Sequence, residues 1–451
     1  MSPPTDPLRV LLTCRDLALR GGSQLYTRDV AAALRELGHT PIVFSQRLGR
    51  VADELRAEGV AVIDSLDLLG EAPSVIHGQH HLEAMAAMLR FPAVPAIFVC
   101  HGWLPWQEAP PSFPSIGRYV AVDALRRDRL VFEHGIAESD VEILPNFVEV
   151  ARFRPRPALP KRPARALLFS NQATADGALA AAVRKASSDL GVALDVAGDA
   201  SGNPLARPED SLSRYDLVFA RGRSAMEAMA TGSAVVLCDI EGCGPMVDPS
   251  NFDALRAMNF GLSALAEPAS SEALRSRIGR FDPDGAALVS RRVRDECDRG
   301  PVVRRLVEIY RLVGAGRRRD EDEALAAECL DAASRYLAWL GPYFEGQLEA
   351  ARAAALDSRV APPPHPPDAP RSAARALEDR LASREDDLEA MWRAYGAARS
   401  RLGSTERELR EASESLRVLE RSPFSKVRAF FLGIKPLVAA YQALRRRHAG
   451  L

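Results

Sequence analysis

The stretch from Arg221 to Asp239 begins with two arginines, Arg221 and Arg223, on either side of Gly222. A single glutamate, Glu227, follows them in a mostly apolar run. The letters DLVFA before Arg221 predict a buried strand, and a helix is predicted to begin near Ser224. The first N–H groups of a helix are unpaired and its dipole favours an anion, so a phosphate fits there. Arg221 and Arg223 would add charge-assisted hydrogen bonds, and Gly222 would let the backbone approach closely.

Glu227 lies one helical turn further along, among alanines and methionines. An ionised carboxylate only accepts hydrogen bonds, which suits two adjacent hydroxyls such as a ribose diol. Ser224 could cap the helix or donate its hydroxyl to the ligand. The alternative is a plain strand–helix–strand crossover with surface arginines, in which Glu227 pairs with a neighbouring arginine. A position at the carboxyl end of a parallel strand favours a ligand site.

Short apolar strands alternate with amphipathic helices on both sides of this stretch. The first half carries the predicted strands LRVLLT, TPIVFS, GVAVIDS, PSVIHG, PAIFVCHG and YVAVDA, and the second half carries ALLFSNQ, VALDVAG, YDLVFA and AVVLCD. Such alternation predicts parallel sheets with helices on both faces. The predicted fold class is α/β, with two Rossmann-like lobes, a cleft between them and a C-terminal helical coiled-coil tail.

Composition divides the chain into six predicted segments. They are a first lobe (1–150), a second lobe (151–316), a helical extension (317–360), a proline-rich linker (361–372), a coiled coil (373–420) and a basic amphipathic helix (421–451). Heptad-spaced leucines favour dimerisation through the tail, with a lone amphipathic helix as the alternative. The basic helix is predicted to lie on a membrane surface, or else to pack on the protein's own body.

The charge balance gives no reason to expect nucleic acid as a partner. Lys and Arg number 59 against 60 Asp and Glu, which leaves a net charge of -1. The six cysteines lack metal-ligand spacing and are interpreted as reduced thiols. No signal peptide and no apolar run long enough to span a membrane is recognised, so we expect a cytoplasmic protein.

Further polar candidates follow the strands of the first lobe. Gly21 and Gly22 precede a predicted helix, so their loop could approach a phosphate or an acceptor closely, or form a mere turn. His101 follows the strand AIFVC and is predicted to face the cleft, with a hydrogen-bonded structural histidine as the alternative. Three more histidines cluster in IHGQHH, but they lack a carboxylate or cysteine at ligand spacing, so no metal is expected.

Three separated stretches resemble one known family: EAMATGSAVVLCD, GGSQLYTRDVAAALRELGHTPIVFS and YVAVDALRRDRLVFEHGIAESDVEILPNFVEVARFRP. They are similar to glycosyltransferase family 4, the retaining nucleotide-sugar glycosyltransferases of the two-lobed Rossmann-like (GT-B) type. The resemblance covers roughly Leu8 to Val313. It implies transfer of a sugar from a nucleoside diphosphate sugar to an acceptor hydroxyl, with no metal and no cofactor apart from the donor.

The resemblance also implies roles for particular residues. The Glu227 carboxylate is expected to bind the ribose hydroxyls, and His101 is expected near the reacting sugar. We infer that Arg223, with Arg221, neutralises the leaving diphosphate, so His101 and Arg223 are the predicted catalytic residues. The predicted donor-binding residues are Gly21, Gly22, Asn171, Arg221, Gly222, Ser224 and Glu227.

The sequence departs from the family at two places. Many members have a second glutamate eight positions before Glu227, where this chain has Phe219. They also tend to carry an arginine and a lysine after the first strand of the second lobe, where this chain reads FSNQATADG. One alternative function is therefore a nucleotide-sugar-binding scaffold without turnover, and another is a sugar-nucleotide epimerase of similar fold. The expected acceptor is a glycan or a lipid-linked glycan of the cell surface.

Overall fold

The structure is a computed structural model that describes residues 6–18, 20–102, 106–315 and 322–360. The chain divides into two compact units, Met1–Pro342 and Tyr343–Leu451. Both sheets lie in the first unit. Of the second unit, the described residues include only the end of one helix.

The first lobe is built on a seven-stranded parallel sheet. Its strands are β1 Arg9–Thr13, β2 Thr40–Phe44, β3 Ala61–Ile63, β4 Val75–Gly78, β5 Ala96–Cys100, β6 Ile116–Ala121 and β7 Val141–Ile143, in the spatial order β3-β2-β1-β4-β5-β6-β7. Its helices are α1 Gly22–Glu36, α2 Arg50–Ala57, α3 His81–Arg90 and α4 Ala124–Asp128. Apolar runs form these strands because helices cover both faces of the sheet.

Alternate residues of β1 enter different cores. Val10 and Leu12 pack in one apolar cluster, whereas Leu11 packs in the cluster on the opposite face. Leu11 pairs with Ile42 on one side and Ile76 on the other, which fixes the register at the centre of the sheet. The strand order reverses between β1 and β4, and loops at such a point commonly form ligand sites.

The second lobe has a five-stranded sheet with one antiparallel edge strand. Its strands are β8 Arg165–Phe169, β9 Ala193–Ala197, β10 Leu217–Ala220, β11 Ala234–Asp239 and β12 Gly242–Met246, in the order β12-β11-β10-β8-β9. Its helices are α5 Ala178–Ser188, α6 Pro208–Ser211, α7 Gly222–Ala230, α8 Phe252–Ala257, α9 Ser271–Ile278 and α10 Pro283–Glu296. Strand β12 runs antiparallel to β11, and its sequence GCGPM carried no strand signal.

Helix α11, Arg299–Ala315, returns to the first lobe. Its apolar side joins the same cluster as Val10 and Leu12, through Val302, Val303, Leu306, Val307, Ile309 and Tyr310. The predicted second lobe of 151–316 must therefore be corrected, because residues 299–315 complete the core of the first lobe. Helical periodicity shows that a face is buried but does not say against which sheet.

Helix α12, Asp322–Val360, follows where a helical extension was expected. Cys329 and Ala332 on this helix are buried in the apolar cluster that contains Leu11. The predicted linker, coiled coil and basic amphipathic helix lie outside the described residues. In the described part of the chain, no helix is both long enough and apolar enough to cross a membrane.

The predicted fold class of two Rossmann-like lobes is confirmed for the described residues. The carboxyl ends of β1 and β5 in the first lobe, and of β8, β10 and β11 in the second, lead into loops that line one cavity. The site is therefore built from loops that rigid parallel strands position.

Candidate functional site

Helix α7 begins in the cavity between the lobes, directly after β10. Its first residue, Gly222, has φ +58, a left-handed backbone that favours glycine. The Gly222 N–H donates to the Phe260 carbonyl at 2.7 Å, whereas the N–H groups of Arg223 and Ser224 have no protein acceptor among the described residues. The helix begins two residues earlier than predicted, so Ser224 lies inside the first turn and does not cap it. Its free N–H groups can receive an anion.

Arg221 lies at the entrance of this turn, held by two carboxylates. Its Nε donates to Asp239 at 2.6 Å and its Nη2 donates to Glu241 at 3.2 Å. The Nη2 group also donates to the side-chain oxygen of Gln172 at 3.0 Å. The Arg221 side chain is 30% exposed, so a ligand can reach it, but much of its charge is already compensated by Asp239 and Glu241.

Arg223 and Glu227 form an ion pair one turn apart on α7. The Arg223 Nε donates to Glu227 Oε1 at 2.9 Å, and the Nη2 of the same guanidinium donates to Asp29 on α1 of the first lobe. The pairing of Glu227 with a neighbouring arginine is thus present, but both arginine and glutamate are largely buried instead of facing solvent. Burial raises the pKa of Glu227 although Arg223 opposes the shift.

The beginning of α1 faces the same cavity from the first lobe. Gly21 precedes the helix in an extended conformation. The first hydrogen bond of the helix is donated by the Leu25 N–H to the Gly21 carbonyl at 3.0 Å. No atom lies within 4 Å of a Cβ built on Gly22, so that residue borders open space. The cavity, of about 380 Å³, therefore receives two helix N-termini, one from each lobe.

His101 follows β5 and lines the cavity. Its ring packs edge-on against Tyr26 at 4.3 Å between centroids, and its backbone N–H donates to Glu108 at 3.2 Å. The Nε2 atom is enclosed and has no partner among the described residues. Burial lowers the pKa of His101 to about 4, so the ring is neutral at physiological pH.

The other predicted histidines lie behind the cavity wall. His77 Nδ1 is 2.6 Å from the Tyr310 hydroxyl, and His81 Nδ1 is 2.6 Å from the Tyr336 hydroxyl. His80 Nδ1 accepts a hydrogen bond from the Arg15 backbone N–H at 3.1 Å. Within the described ranges, no group of three His, Cys, Asp or Glu side chains is placed to hold a metal ion.

Asn171 lies in the loop after β8 and joins the two lobes. Its Nδ2 donates to the carbonyl of Arg20 at 3.1 Å, and its Oδ1 accepts from the Asp199 N–H at 3.4 Å. Gly198, at the end of β9, approaches this loop so closely that a Cβ would lie 1.8 Å from the Ser170 carbonyl oxygen. The loop that contains Ser170 and Asn171 is therefore packed directly against the backbone of Gly198.

The structure brings most of the predicted site residues together. Eight of them line the cavity: Gly21, Gly22, His101, Asn171, Arg221, Gly222, Arg223 and Ser224. Glu227 lies one turn behind this lining and is not part of it. Phe219, at the position of the usual family glutamate, is a fully buried residue of β10 and reaches the apolar core instead of the cavity.

Several residues of the cavity were not predicted. Arg126 on α4 donates through Nη1 to Asp123 at 2.8 Å, and its Nε is enclosed without a partner among the described residues. Asn259 has φ 52, and its side-chain oxygen accepts a hydrogen bond from the backbone N–H of Asn146 at 3.0 Å, which links the second lobe to the end of the first. The basic run LRRD after β6 was a readable signal for Arg126. Nothing in the local sequence indicated Asn259.

Comparison with known proteins agrees with this architecture. The family model of Glycosyltransferase Family 4 matches residues 20–152. No curated protein matches the chain significantly. Among solved structures, a glycosyltransferase of Rickettsia africae ESF-5 is similar with a TM-score of 0.50 and 15% identity, over 69% of this chain and 100% of that one. Another is HepE of Anabaena, solved in complex with UDP and glucose, with a TM-score of 0.49 and 14% identity over 67% and 99% of the two chains.

At these identities the structural likeness shows the fold alone. The family match covers most of the first lobe from the Gly21–Gly22 loop onward, and it contains one of the three stretches on which the resemblance rests and all but the last three residues of another. The chain thus has the two-lobed GT-B fold and resembles glycosyltransferase family 4.

Proposed function

We propose that this protein is a glycosyltransferase that moves a sugar from a nucleoside diphosphate sugar to an acceptor hydroxyl. The observation that carries the proposal is the beginning of α7, where Arg221, Gly222 and Arg223 open on the cavity between the lobes. Free helix N–H groups and guanidinium groups are the donors that a diphosphate requires. The family resemblance supports sugar transfer in general.

The leaving diphosphate gains negative charge as the sugar departs, and stabilising such charge is usually the largest catalytic contribution. The N–H groups of Arg223 and Ser224 can do this without reorganisation, because the helix holds them in place. Gly222 exposes them, since no atom lies within 4 Å of its Cβ position. Arg221 adds a partly exposed cation at the mouth of the cavity. We propose that no metal takes part.

Glu227 is proposed to bind the ribose. Only its Oε1 is engaged by Arg223, and Oε2 has no protein partner among the described residues. A carboxylate oxygen in this state can accept a hydrogen bond from a hydroxyl. Binding would require the nucleoside to reach one turn behind the lining of the cavity.

The acceptor is proposed to bind beside His101. A neutral imidazole can donate or accept a hydrogen bond, so the His101 ring, which lines the cavity, can contact a hydroxyl of the acceptor or of the transferred sugar. Approach of the lobes would exclude water, which would otherwise hydrolyse the donor. No carboxylate nucleophile is assigned, and we propose a same-face displacement that retains the anomeric configuration, with a hexose as the transferred sugar.

The proposals about membrane contact, dimerisation and the acceptor rest on the amino-acid composition of the C-terminal stretches. The basic amphipathic stretch 421–451 supports peripheral contact with an anionic membrane from the cytoplasmic side. The heptads of 373–420 support a homodimer. A glycan or lipid-linked acceptor destined for the cell surface is consistent with enzyme action at such a membrane.

A nucleotide-sugar-binding scaffold without turnover is the second candidate. Phe219 is buried in the sheet, so the sugar hydroxyls lack the glutamate that many relatives supply. Arg221 also shares its charge with Asp239 and Glu241. Both features weaken the case for catalysis more than the case for binding.

Calorimetric titration with UDP, GDP and ADP tests nucleotide binding, and release of nucleotide from the corresponding donors tests turnover. We expect one nucleotide to bind, and Glu227→Gln to weaken it by about ten- to a hundredfold because a charge-assisted hydrogen bond is lost. Glu209→Gln is the matched control, since Glu209 is a similarly buried glutamate paired with Arg152 outside the cavity. Binding without donor consumption would support the scaffold, and the absence of any binding would reject both candidates.

A further inference from the structure

A chain of four charged side chains crosses from the first lobe to the second. Arg28 and Asp29 lie on α1, and Arg223 and Glu227 lie on α7. Arg28 donates to Asp29 Oδ1 through Nη2 at 2.7 Å and through Nε at 2.9 Å. The second carboxylate oxygen, Asp29 Oδ2, accepts from Arg223 Nη2. The signs of the four charges alternate along the chain.

These four side chains are almost excluded from solvent. Their exposed fractions are 4% for Arg28, 2% for Asp29, 13% for Arg223 and 6% for Glu227. Burial alone would raise the pKa of Asp29, but Arg223 and Arg28 hold it at about 2. Water therefore screens the network weakly, and the guanidinium of Arg223 is held in one orientation by two carboxylates.

The lobe boundary leaves each arginine of the network with a carboxylate partner, and Arg28 also donates to Glu54 of the first lobe at 3.2 Å. Arg28 with Asp29 stays on the first lobe, and Arg223 with Glu227 stays on the second. If the lobes part, each buried charge keeps one partner, so opening avoids the large penalty of an isolated buried ion. Other contacts across the lobes include the Asn171 amide, which donates to the Arg20 carbonyl, and the Arg256 guanidinium, which donates to the Asn146 carbonyl at 2.7 Å. The ion pair of Asp29 and Arg223 can therefore form and break as the lobes move.

Asp29 also decides which atoms of Arg223 face Glu227. A guanidinium tends to engage a carboxylate through two parallel N–H groups. Here the Nη2 group is taken by Asp29, and Glu227 receives only the Nε–H, at Oε1. Oε2 is left without a protein partner among the described residues. Without Asp29, Arg223 could turn its fork onto both oxygens of Glu227.

We propose that Asp29 is a positioning residue for the donor nucleotide: it holds Arg223 when the lobes are together and thereby keeps one oxygen of Glu227 available for a ribose hydroxyl. The inference rests on the proposed function, because it takes Glu227 as the ribose contact. It adds a first-lobe residue, 194 positions from Arg223 in sequence, to the binding of a ligand that the second lobe holds.

The test measures nucleotide affinity in single and double variants of the full chain. Asp29→Asn keeps the shape but removes the charge, and we expect it to weaken the best-bound of UDP, GDP and ADP by roughly tenfold, as expected for loss of one charge-assisted contact. Asp29→Glu keeps the charge and should restore part of this loss. Asp216→Asn is the matched control, because Asp216 is a buried aspartate paired with Arg156 away from the cavity.

The double variant separates positioning from general damage to the fold. If Asp29 acts through Glu227, then adding Asp29→Asn to Glu227→Gln should weaken the nucleotide no further, so the two effects are not additive. Additive effects, or an equal loss in Asp216→Asn, would overturn the inference. An unchanged affinity in Asp29→Asn while Glu227→Gln binds weakly would overturn it and leave the proposed function standing. A wild-type chain that binds no nucleotide would refute both.

Discussion

The two lobes bring different chemistry to the same cavity. The first lobe contributes two neutral, desolvated rings, Tyr26 on α1 and His101 after β5, together with one ion pair, Arg126 with Asp123. At the strand ends of the second lobe lie full charges, such as Arg221 with Asp239. Uncharged groups can bind a hydroxyl without a large desolvation cost, whereas oriented charges and helix N–H groups suit a diphosphate. The difference indicates why a two-substrate reaction would use two lobes.

The largest effects on sugar transfer should come from replacing one cavity residue of each lobe, Arg223 in the second and His101 in the first. Arg223→Ala keeps the backbone N–H but removes the guanidinium that holds Glu227 and Asp29, so we expect it to slow transfer by roughly a hundredfold through misplacement of the donor. It should also weaken nucleotide binding, because Glu227 and Asp29 lose their shared partner. His101→Ala should slow transfer while leaving nucleotide affinity nearly unchanged.

Steady-state release of nucleotide gives the first quantity, and calorimetry gives the second. Ser23→Ala serves as a control, since the Ser23 hydroxyl borders the cavity but carries no charge. If His101→Ala weakened the nucleotide as strongly as Arg223→Ala does, the division of labour between the lobes would be wrong.

Acid should destabilise the first lobe before the second. Burial lowers the pKa of His77 to about 3 and of His101 to about 4, below the value of about 6.5 in an unfolded chain. The unfolded state therefore binds more protons below pH 6.5, so stability is full above that pH and is lost as the pH falls. At pH 5 the loss is about 2 kcal/mol for each histidine.

Amide hydrogen exchange at pH 7 and pH 5, corrected for intrinsic rates, resolves this loss by region. The sequence has no histidine between His134 and residue 365, so the second lobe has no comparable group. His77→Gln should reduce the acid sensitivity of the first lobe. Equal loss of protection in both lobes would contradict the assignment.

The smallest effects should be on stability, and they should differ between the first residues of helices α1 and α7. Neither Gly22 nor Gly222 has an atom within 4 Å of its Cβ position, so added methyl groups would meet no obstacle. Only Gly222 has a left-handed backbone, at φ +58. We expect Gly222→Ala to cost about 1 to 2 kcal/mol and Gly22→Ala to cost almost nothing.

Thermal unfolding measures this difference as a shift of a few degrees in Tm for Gly222→Ala. Equal shifts in the two variants would mean that the α7 turn is not constrained by its backbone conformation. A loss of nucleotide affinity in Gly222→Ala beyond the loss of stability would sharpen the assignment of the diphosphate to α7.

The sequence predicted those structural features that depend on interactions between residues close together in the chain. Apolar runs such as that of Arg9–Thr13 form central strands, and the Gly222 turn and the i, i+4 pair of Arg223 and Glu227 are readable from spacing. Strand β12 was missed because glycine and proline disfavour strands, so only its pairing with β11 reveals it.

Contacts between distant segments could not be predicted in this way. The partnership of Asp29 with Arg223 joins residues from different lobes, and helical periodicity on α1 and α7 does not orient one helix against the other. The place of Phe219 in the core follows from alternation along β10, which sends it away from the cavity. The sequence predicted the group of residues at the cavity, but it did not predict that Asp29 of the first lobe would pair with Arg223.

The return of α11 to the first lobe has a consequence for how the protein is made. Tyr310 and Val10 belong to the same apolar cluster, so β1 is synthesised long before the helix that closes its core. The second lobe, by contrast, can be completed from a contiguous stretch. The last strand of the first sheet ends at Ile143 and α11 begins at Arg299, so during synthesis this sheet should keep apolar surface uncovered for 299 − 143 = 156 residues or more. Misfolded contacts between nascent chains form most readily in that period.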